Sequence, residues 1–218
     1  MNAIFSYVLT LTACALLLGA CATAEKPQEQ FHSPSKLPIA VLTTEYGDIQ
    51  IALDVNKAPI SANNFIAYIK SDAFKTLTFY RTVDHNNDNH PLKIAVLQGG
   101  LNAALDDPFE AGLPAIPHES TAQTTLTHKR GAVSFARGDL GTAQSEFFIS
   151  TQDNPHLDAG GLRHPDKQGF AVFGNVIAGM EVIDKIAALP AQRAHNNPYV
   201  KGQLLTQPVP ITKVTLEN

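Results

Sequence analysis

Ile39-Ala40-Val41-Leu42-Thr43-Thr44-Glu45-Tyr46-Gly47-Asp48-Ile49-Gln50-Ile51-Ala52-Leu53 is the stretch that decides the fold class of this 218-residue chain. An apolar run rich in branched residues, a turn containing glycine and a second, alternating run make a β-hairpin. Downstream, Ala58-Pro59-Ile60-Ser61 leads into Asn64 to Lys70, where Phe65, Ile66 and Ile69 share one face of a helix entered through proline and serine. A second helix is predicted at Gly179 to Leu189, where Met180, Val182, Ile183, Ile186 and Ala187 recur at helical spacing before Pro190. The other apolar runs are short: 77–83, 94–97, 132–135, 147–150, 170–176 and 209–216. Many short strands with two helices predict a mainly β domain, a closed antiparallel barrel capped at its ends. No internal repeat is visible.

Upstream of the hairpin the composition changes twice. Met1 to Ala20 carries no charged side chain, and its apolar stretch, Val8 to Leu18, suits a secretory signal better than a membrane span. Leu18-Gly19-Ala20-Cys21 resembles a bacterial lipobox, in which the cysteine is acylated and becomes the new N-terminus. Leu11-Thr12-Ala13-Cys14 matches the same pattern, but cleavage there leaves too short an apolar core. Lipidation is therefore expected at Cys21, although no Lys or Arg precedes the apolar region. Residues 21–38 read as a lipidated flexible tether; as a random coil its roughly 17 residues after Cys21 span roughly 20–25 Å. A single acyl chain holds a bilayer only marginally, so stable anchoring needs the several chains that a processed lipobox cysteine carries. Residues 39–218 then form the globular domain.

Both cysteines of the chain fall in the signal region, so the domain has no internal disulfide and no cysteine-ligated metal to hold it. A balance of 16 basic against 20 acidic residues argues against a nucleic-acid footprint.

Five short motifs follow in order: Phe79-Tyr80-Arg81, Gln98-Gly99-Gly100, Gly131-Ala132-Val133-Ser134-Phe135-Ala136-Arg137, Ser145-Glu146-Phe147-Phe148-Ile149 and Phe173-Gly174-Asn175-Val176. Each is weak alone. Together with the helix from Pro59 to Lys70 they resemble the cyclophilin family over roughly Ile39 to Leu216. The resemblance implies an eight-stranded closed barrel with two helices, and a peptidyl-prolyl cis-trans isomerase that needs no cofactor and no metal, works as a monomer and takes proline-containing polypeptides.

That chemistry makes and breaks no bond. Rotation about an X–Pro amide faces a barrier of roughly 18–20 kcal/mol and takes tens to hundreds of seconds unaided. The catalyst must bind the twisted amide better than either planar form. On the resemblance, Arg81 is the catalytic arginine, whose guanidinium stays charged and offers fixed N–H donors. Gln98 orients substrate or arginine, and Phe148 is the aromatic wall of the proline pocket. Phe135, Ala136, Arg137, His156, Leu157, Phe170 and Val96 complete the substrate-binding set. Several of these depart from the family's habit: Arg137 stands for asparagine, His156 for tryptophan, Phe170 for histidine, Phe135 for methionine, and Ala95 and Val96 for phenylalanine and methionine. Two stretches, Asp84 to Leu92 and Ala159 to Gln168, are insertions against the compact members and are positioned to cover or extend the groove.

The loop Asp84-His85-Asn86-Asn87-Asp88-Asn89-His90 is dense in oxygen and imidazole groups. It has Asn89 where a calcium loop needs glycine and Ala95 where it needs glutamate, so a solvated polar turn is expected. His118, His128, His164 and His195 show no paired ligand spacing and read as isolated surface residues. Two functions remain: an isomerase for proteins folding in the bacterial envelope, anchored in the outer membrane and facing the periplasm, or a peptide-binding module or chaperone using the same groove with little turnover.

Overall fold

The structure, a computed structural model, describes residues 36–71, 74, 77–101 and 112–217. The signal segment, Cys21 and most of the tether lie outside the described residues.

The hairpin forms as its sequence dictates. Strands β1 (Ile39–Thr44) and β2 (Gly47–Leu53) pair antiparallel from Ile39↔Ala52 to Thr44↔Gly47. Glu45 and Tyr46 make the two-residue turn. Thr44 Oγ1 closes it by donating to the Gly47 carbonyl at 2.9 Å and accepting from the Tyr46 N–H at 3.1 Å. Gly47 sits at φ +129°, a region that a side chain rarely tolerates.

Helix α1 (Pro59–Lys70) begins with proline, whose missing N–H is not needed there, but its N-cap residue Ala58 has no capping side chain. Buried Glu119 supplies the cap from a distant loop, its two carboxylate oxygens accepting from Ile60 N at 3.0 Å and Ser61 N at 2.6 Å. Strands β3 (Thr78–Val83) and β4 (Val96–Gly100) follow, then a one-turn helix α2 (Thr121–Thr124), β5 (Ala132–Phe135), β6 (Phe147–Ser150), β7 (Ala171–Ala178), helix α3 (Met180–Ala187), β8 (Leu204–Pro210) and β9 (Lys213–Glu217). Phe65 on α1 plugs the core, its ring 5.1 Å from Phe173 and 5.4 Å from Phe147. Burying such a ring stabilises by roughly 1.5–3 kcal/mol. Val182, Ile183 and Ile186 of α3 cover another part of the same core.

Three expectations need correction. The sheet is a nine-stranded, curled half-barrel in the order β8-β3-β4-β6-β5-β7-β2-β1-β9, not a closed eight-stranded barrel. The run 209–216 is not one strand: Ile211 N donates to Leu77 O and the next residue, Thr212, to Thr43 O, so the chain steps from the β3 side of the sheet to the β1 side there. The two end strands are joined by chain, not by a ladder. Pro208 and Pro210 fit that position, because an end strand has one side on which no N–H is required. The third correction is α2, a helix beyond the two expected. Its capping box, Ser120 with Gln123, was present in the sequence, and Gln123 Oε1 accepts from Ser120 N at 2.9 Å.

Candidate active site

Strand register builds the site. Arg81 on β3 stands opposite Gln98 on β4, Gln98 opposite Phe148 on β6, and Phe148 opposite Ser134 on β5. Residues directly opposite in an antiparallel pair share a face, so Arg81, Gln98 and Phe148 form one row across three strands. Simple alternation would deny this to Arg81, since Phe79 two residues earlier is fully buried in the core. The register shifts between Phe79 and Arg81, leaving Tyr80 as the extra residue of a bulge. That one-residue insertion turns Arg81 onto the face opposite to Phe79.

Arg81 is 8 % exposed and held on several sides. Its Nη1 donates to Gln98 Oε1 at 2.9 Å, and its Nε and Nη2 donate to Gln203 Oε1 at 3.0 and 2.6 Å. The Tyr199 ring lies 5.0 Å from the guanidinium carbon. Gln98 is oriented in turn: its Nε2 donates to the Tyr80 hydroxyl at 2.7 Å, and that hydroxyl donates to the fully buried Glu146 carboxylate. Burial and the Glu146 charge push the Tyr80 phenol well above its ordinary range, so it keeps its proton. A Cβ at Gly100 would collide with the Glu146 carboxylate, which is why only glycine fits beside it.

Arg81, Gln98, Phe148, Val96, Ala136, Arg137, Leu157 and Phe170 all line a single cavity of about 440 Å³. Its floor is apolar, with Val96, Phe148 and Leu157 packed in one cluster with Ile94 and Val83, and Ala136 and Phe170 against it. Leu157 reaches it from a 3₁₀ turn, Pro155–Leu157. The Phe148 and Phe170 rings meet edge to face at 5.6 Å. Arg137 does not point a free charge at the cavity: it is paired with Asp166 at 2.8 Å, donates to Gly169 O at 3.0 Å and lies 5.3 Å from the Phe170 ring. Hydrogen bonds from Arg137 hold the Asp166 carboxyl far below the usual range.

Phe135 and His156 are not brought to this cavity. Phe135 stands opposite Phe147, the core side of the β5–β6 pair, and stacks on Phe173 at 4.4 Å. His156 is exposed on the 3₁₀ turn whose other face delivers Leu157.

Several residues were invisible to sequence reasoning. Gln203 and Tyr199 come from the stretch between α3 and β8. Partial burial raises the Tyr199 phenol, and the charges of Arg81 and Arg163 more than offset it, leaving its pKa below the ordinary value. His128, expected at the surface, is 1 % exposed. It bonds Asp158 through Nδ1 at 2.7 Å and Ser134 Oγ through Nε2 at 3.1 Å, and its ring stacks behind Phe148 at 5.8 Å. His118 and His164 are also partly covered, and His164 lines the cavity. A row of charged and amide donors above an apolar floor can hold a flat apolar ring while offering N–H groups to the amide beside it.

Comparison with known proteins gives the same reading. A family model described as cyclophilin type peptidyl-prolyl cis-trans isomerase/CLD matches residues 39–216. The chain is 33 % identical over 180 residues to a peptidyl-prolyl cis-trans isomerase of Acinetobacter baylyi, covering 81 % of this chain and 84 % of the relative. It is 36 % identical over 160 residues to peptidyl-prolyl cis-trans isomerase A of Dickeya dadantii, covering 73 % and 75 %. Among solved structures, a cyclophilin type isomerase of Cryptosporidium parvum superposes with a TM-score of 0.64 at 20 % identity, over 84 % of this chain and 98 % of that one, a likeness of fold. This chain belongs to the cyclophilin-type peptidyl-prolyl cis-trans isomerase family.

Proposed function

We propose that the chain speeds rotation of X–Pro bonds in exported polypeptides, acting as a monomer held by acyl chains on Cys21 at the outer membrane and facing the periplasm. The observation that carries the catalytic half is the row Arg81–Gln98–Phe148, placed on one face by strand register and by the bulge at Tyr80. The apolar floor takes the proline ring. A twisted amide loses resonance, so its nitrogen gains a lone pair that accepts a hydrogen bond. Arg81 serves as the donor, and because Gln98, Gln203 and Tyr199 hold it in place, little reorganisation is needed at the moment of twisting. A Cryptosporidium parvum relative of the same fold was solved in the presence of the dipeptide Ala-Pro, which supports proline-containing peptides as the ligand class.

The catalytic half is tested by isomerisation of short X–Pro peptides with the purified chain beside Arg81→Ala. Peptide binding without acceleration by the unmodified chain would make this a peptide-binding module. The envelope half rests on Leu18-Gly19-Ala20-Cys21 and on Ala22, a residue compatible with outer-membrane sorting in enteric bacteria. Mass spectrometry of the membrane-extracted chain should find acyl chains on Cys21 and none in Cys21→Ser, and an unmodified Cys21 would remove the anchor.

A further inference from the structure

The two insertions, 84–92 and 159–168, have no part in the row just described, yet they meet. Arg163 donates to Asp88 through both arms of its guanidinium, at 2.6 Å to Oδ2 and 3.0 Å to Oδ1, with both side chains buried. The same carboxylate accepts the N–H groups of His90 at 3.1 Å and Ile94 at 2.9 Å, and Arg163 Nη1 also donates to Leu92 O at 2.6 Å. Asp88 therefore closes its own loop and clamps it to the other. A buried ion pair this well bonded is costly to break from one side, because the remaining charge is left without its partner.

The clamped loops are placed against the catalytic arginine. Asn87 Nδ2 donates to Thr82 O and to Gly202 O, each at 3.1 Å, and Gln203 Nε2 donates to Asn87 O at 3.0 Å. Gln203 is the residue whose other amide atom holds Arg81. From this base His90, Arg163, His164 and Pro165, with Tyr199, line the cavity beside the apolar floor. A volume of about 440 Å³ lies in the range of pockets that enclose whole drug-sized ligands, more than one proline ring fills. Besides Pro165, this wall is made of flat groups: two imidazoles, a guanidinium and a phenol. Its neighbouring carboxylates are spent, Asp88 on Arg163, and Asp166 on Arg137 and on the His164 ring, whose Nδ1 lies 3.0 Å from Asp166 Oδ1. Planar cationic and aromatic groups of this kind stack on aromatic side chains.

We propose that the Asp88–Arg163 clamp makes the two insertions into a second subsite, which takes an aromatic side chain adjacent to the isomerised proline. The proposal rests on the isomerase reading of the neighbouring row. Asp88 acts as a positioning residue, Arg163 both clamps the loops and lines the wall, and selectivity is what they change.

The test is exchange spectroscopy by NMR with the full chain on two peptide series, Ala-Xaa-Pro-Ala and Ala-Pro-Xaa-Ala, with Xaa as Phe, Trp, Leu, Ala and Glu. In one series Phe and Trp should exceed Leu and Ala in kcat/KM by about tenfold, the size of a good ring-stacking contact. Asp88→Asn and Arg163→Leu should bring that ratio to within about twofold of unity. The ratio is internal to each variant, so a general loss of activity or of folded protein cannot imitate the result. Acceleration with equal rates for Leu and Phe, or with Glu preferred, overturns the subsite and leaves the isomerase reading intact. No acceleration of any peptide by the unmodified chain sinks both.

Discussion

Gln203 Oε1 accepts two hydrogen bonds from Arg81, from Nε at 3.0 Å and from Nη2 at 2.6 Å, across a separation of 122 positions in the chain. The arginine is thus held on the side away from Gln98 by a residue that no motif announces. Charge-assisted bonds of this kind are worth about 1.5–3 kcal/mol. Gln203→Leu, close in size and unable to accept, should lower kcat/KM by about tenfold or more, since each 1.36 kcal/mol is a factor of ten. Wild-type kcat/KM in a folded Gln203→Leu variant would show that Gln98 alone suffices to hold Arg81.

Arg81 itself should tolerate no conservative replacement. Arg81→Ala is expected to cost about two orders of magnitude in kcat/KM, or about 2.7 kcal/mol. Arg81→Lys should recover little of that, because a lysine ammonium cannot bridge Gln98 and Gln203 and still present planar donors to the substrate. Recovery by lysine to near the wild-type rate would mean that positive charge, not the planar fork, is what the reaction uses.

His128 makes stability depend on pH. Burial lowers its pKa, and the bond and charge of Asp158 only partly oppose this; burial lowers His118 in the same direction. In the unfolded chain both take up a proton as the pH falls through about 6.5, while the folded chain resists doing so. Their contribution is therefore full above about pH 6.5 and declines on acidification. Asp88, where burial raises the pKa but Arg163 and backbone bonds outweigh it, and Asp166 both stay ionised through this window. The urea midpoint should fall between pH 7.5 and pH 5, and fall less in His128→Gln. An unchanged slope in that variant would place the pH dependence elsewhere.

Glu119 should be worth more to stability than its loop position suggests. It caps α1 through two N–H groups at the positive end of the helix, where Ala58 offers nothing. Glu119→Ala should cost about 1–2 kcal/mol in chemical denaturation, the scale of a lost cap with its dipole contribution. A loss under a few tenths of a kcal/mol would mean that water replaces the carboxylate freely.

The hairpin, α1, α3, β5 and β6 were legible because their apolar residues form short runs of strand length or recur at the spacing of a helix face. Leu204 and Leu205 were not, since two apolar residues followed by Pro208 and Pro210 resemble a loop until β3 is seen beside them. The row Arg81–Gln98–Phe148 was readable only through resemblance; the bulge that makes it possible leaves no mark on the sequence. Resemblance misled at Phe135: it is one residue from Ala136, which lines the cavity, but an odd step along a strand changes face, and parity would have turned it to the core. Gln203, Tyr199 and His128 act from irregular segments, where no periodicity connects a residue to its neighbours in space.

The pairing of β1 with β9 ties Ile39 to Glu217, almost the two ends of the domain. A polypeptide made from its N-terminus forms the first hairpin early, yet the strand that covers the outer edge of β1 is made after the other eight strands of the sheet. That edge must wait with its N–H and C=O groups unpaired, open to other extended segments, until β9 is available to cover it. Ladders between such remote residues also close slowly. An enzyme of proline isomerisation therefore has a late and vulnerable step in its own maturation, one that deleting the five residues of β9, Lys213–Glu217, would make permanent.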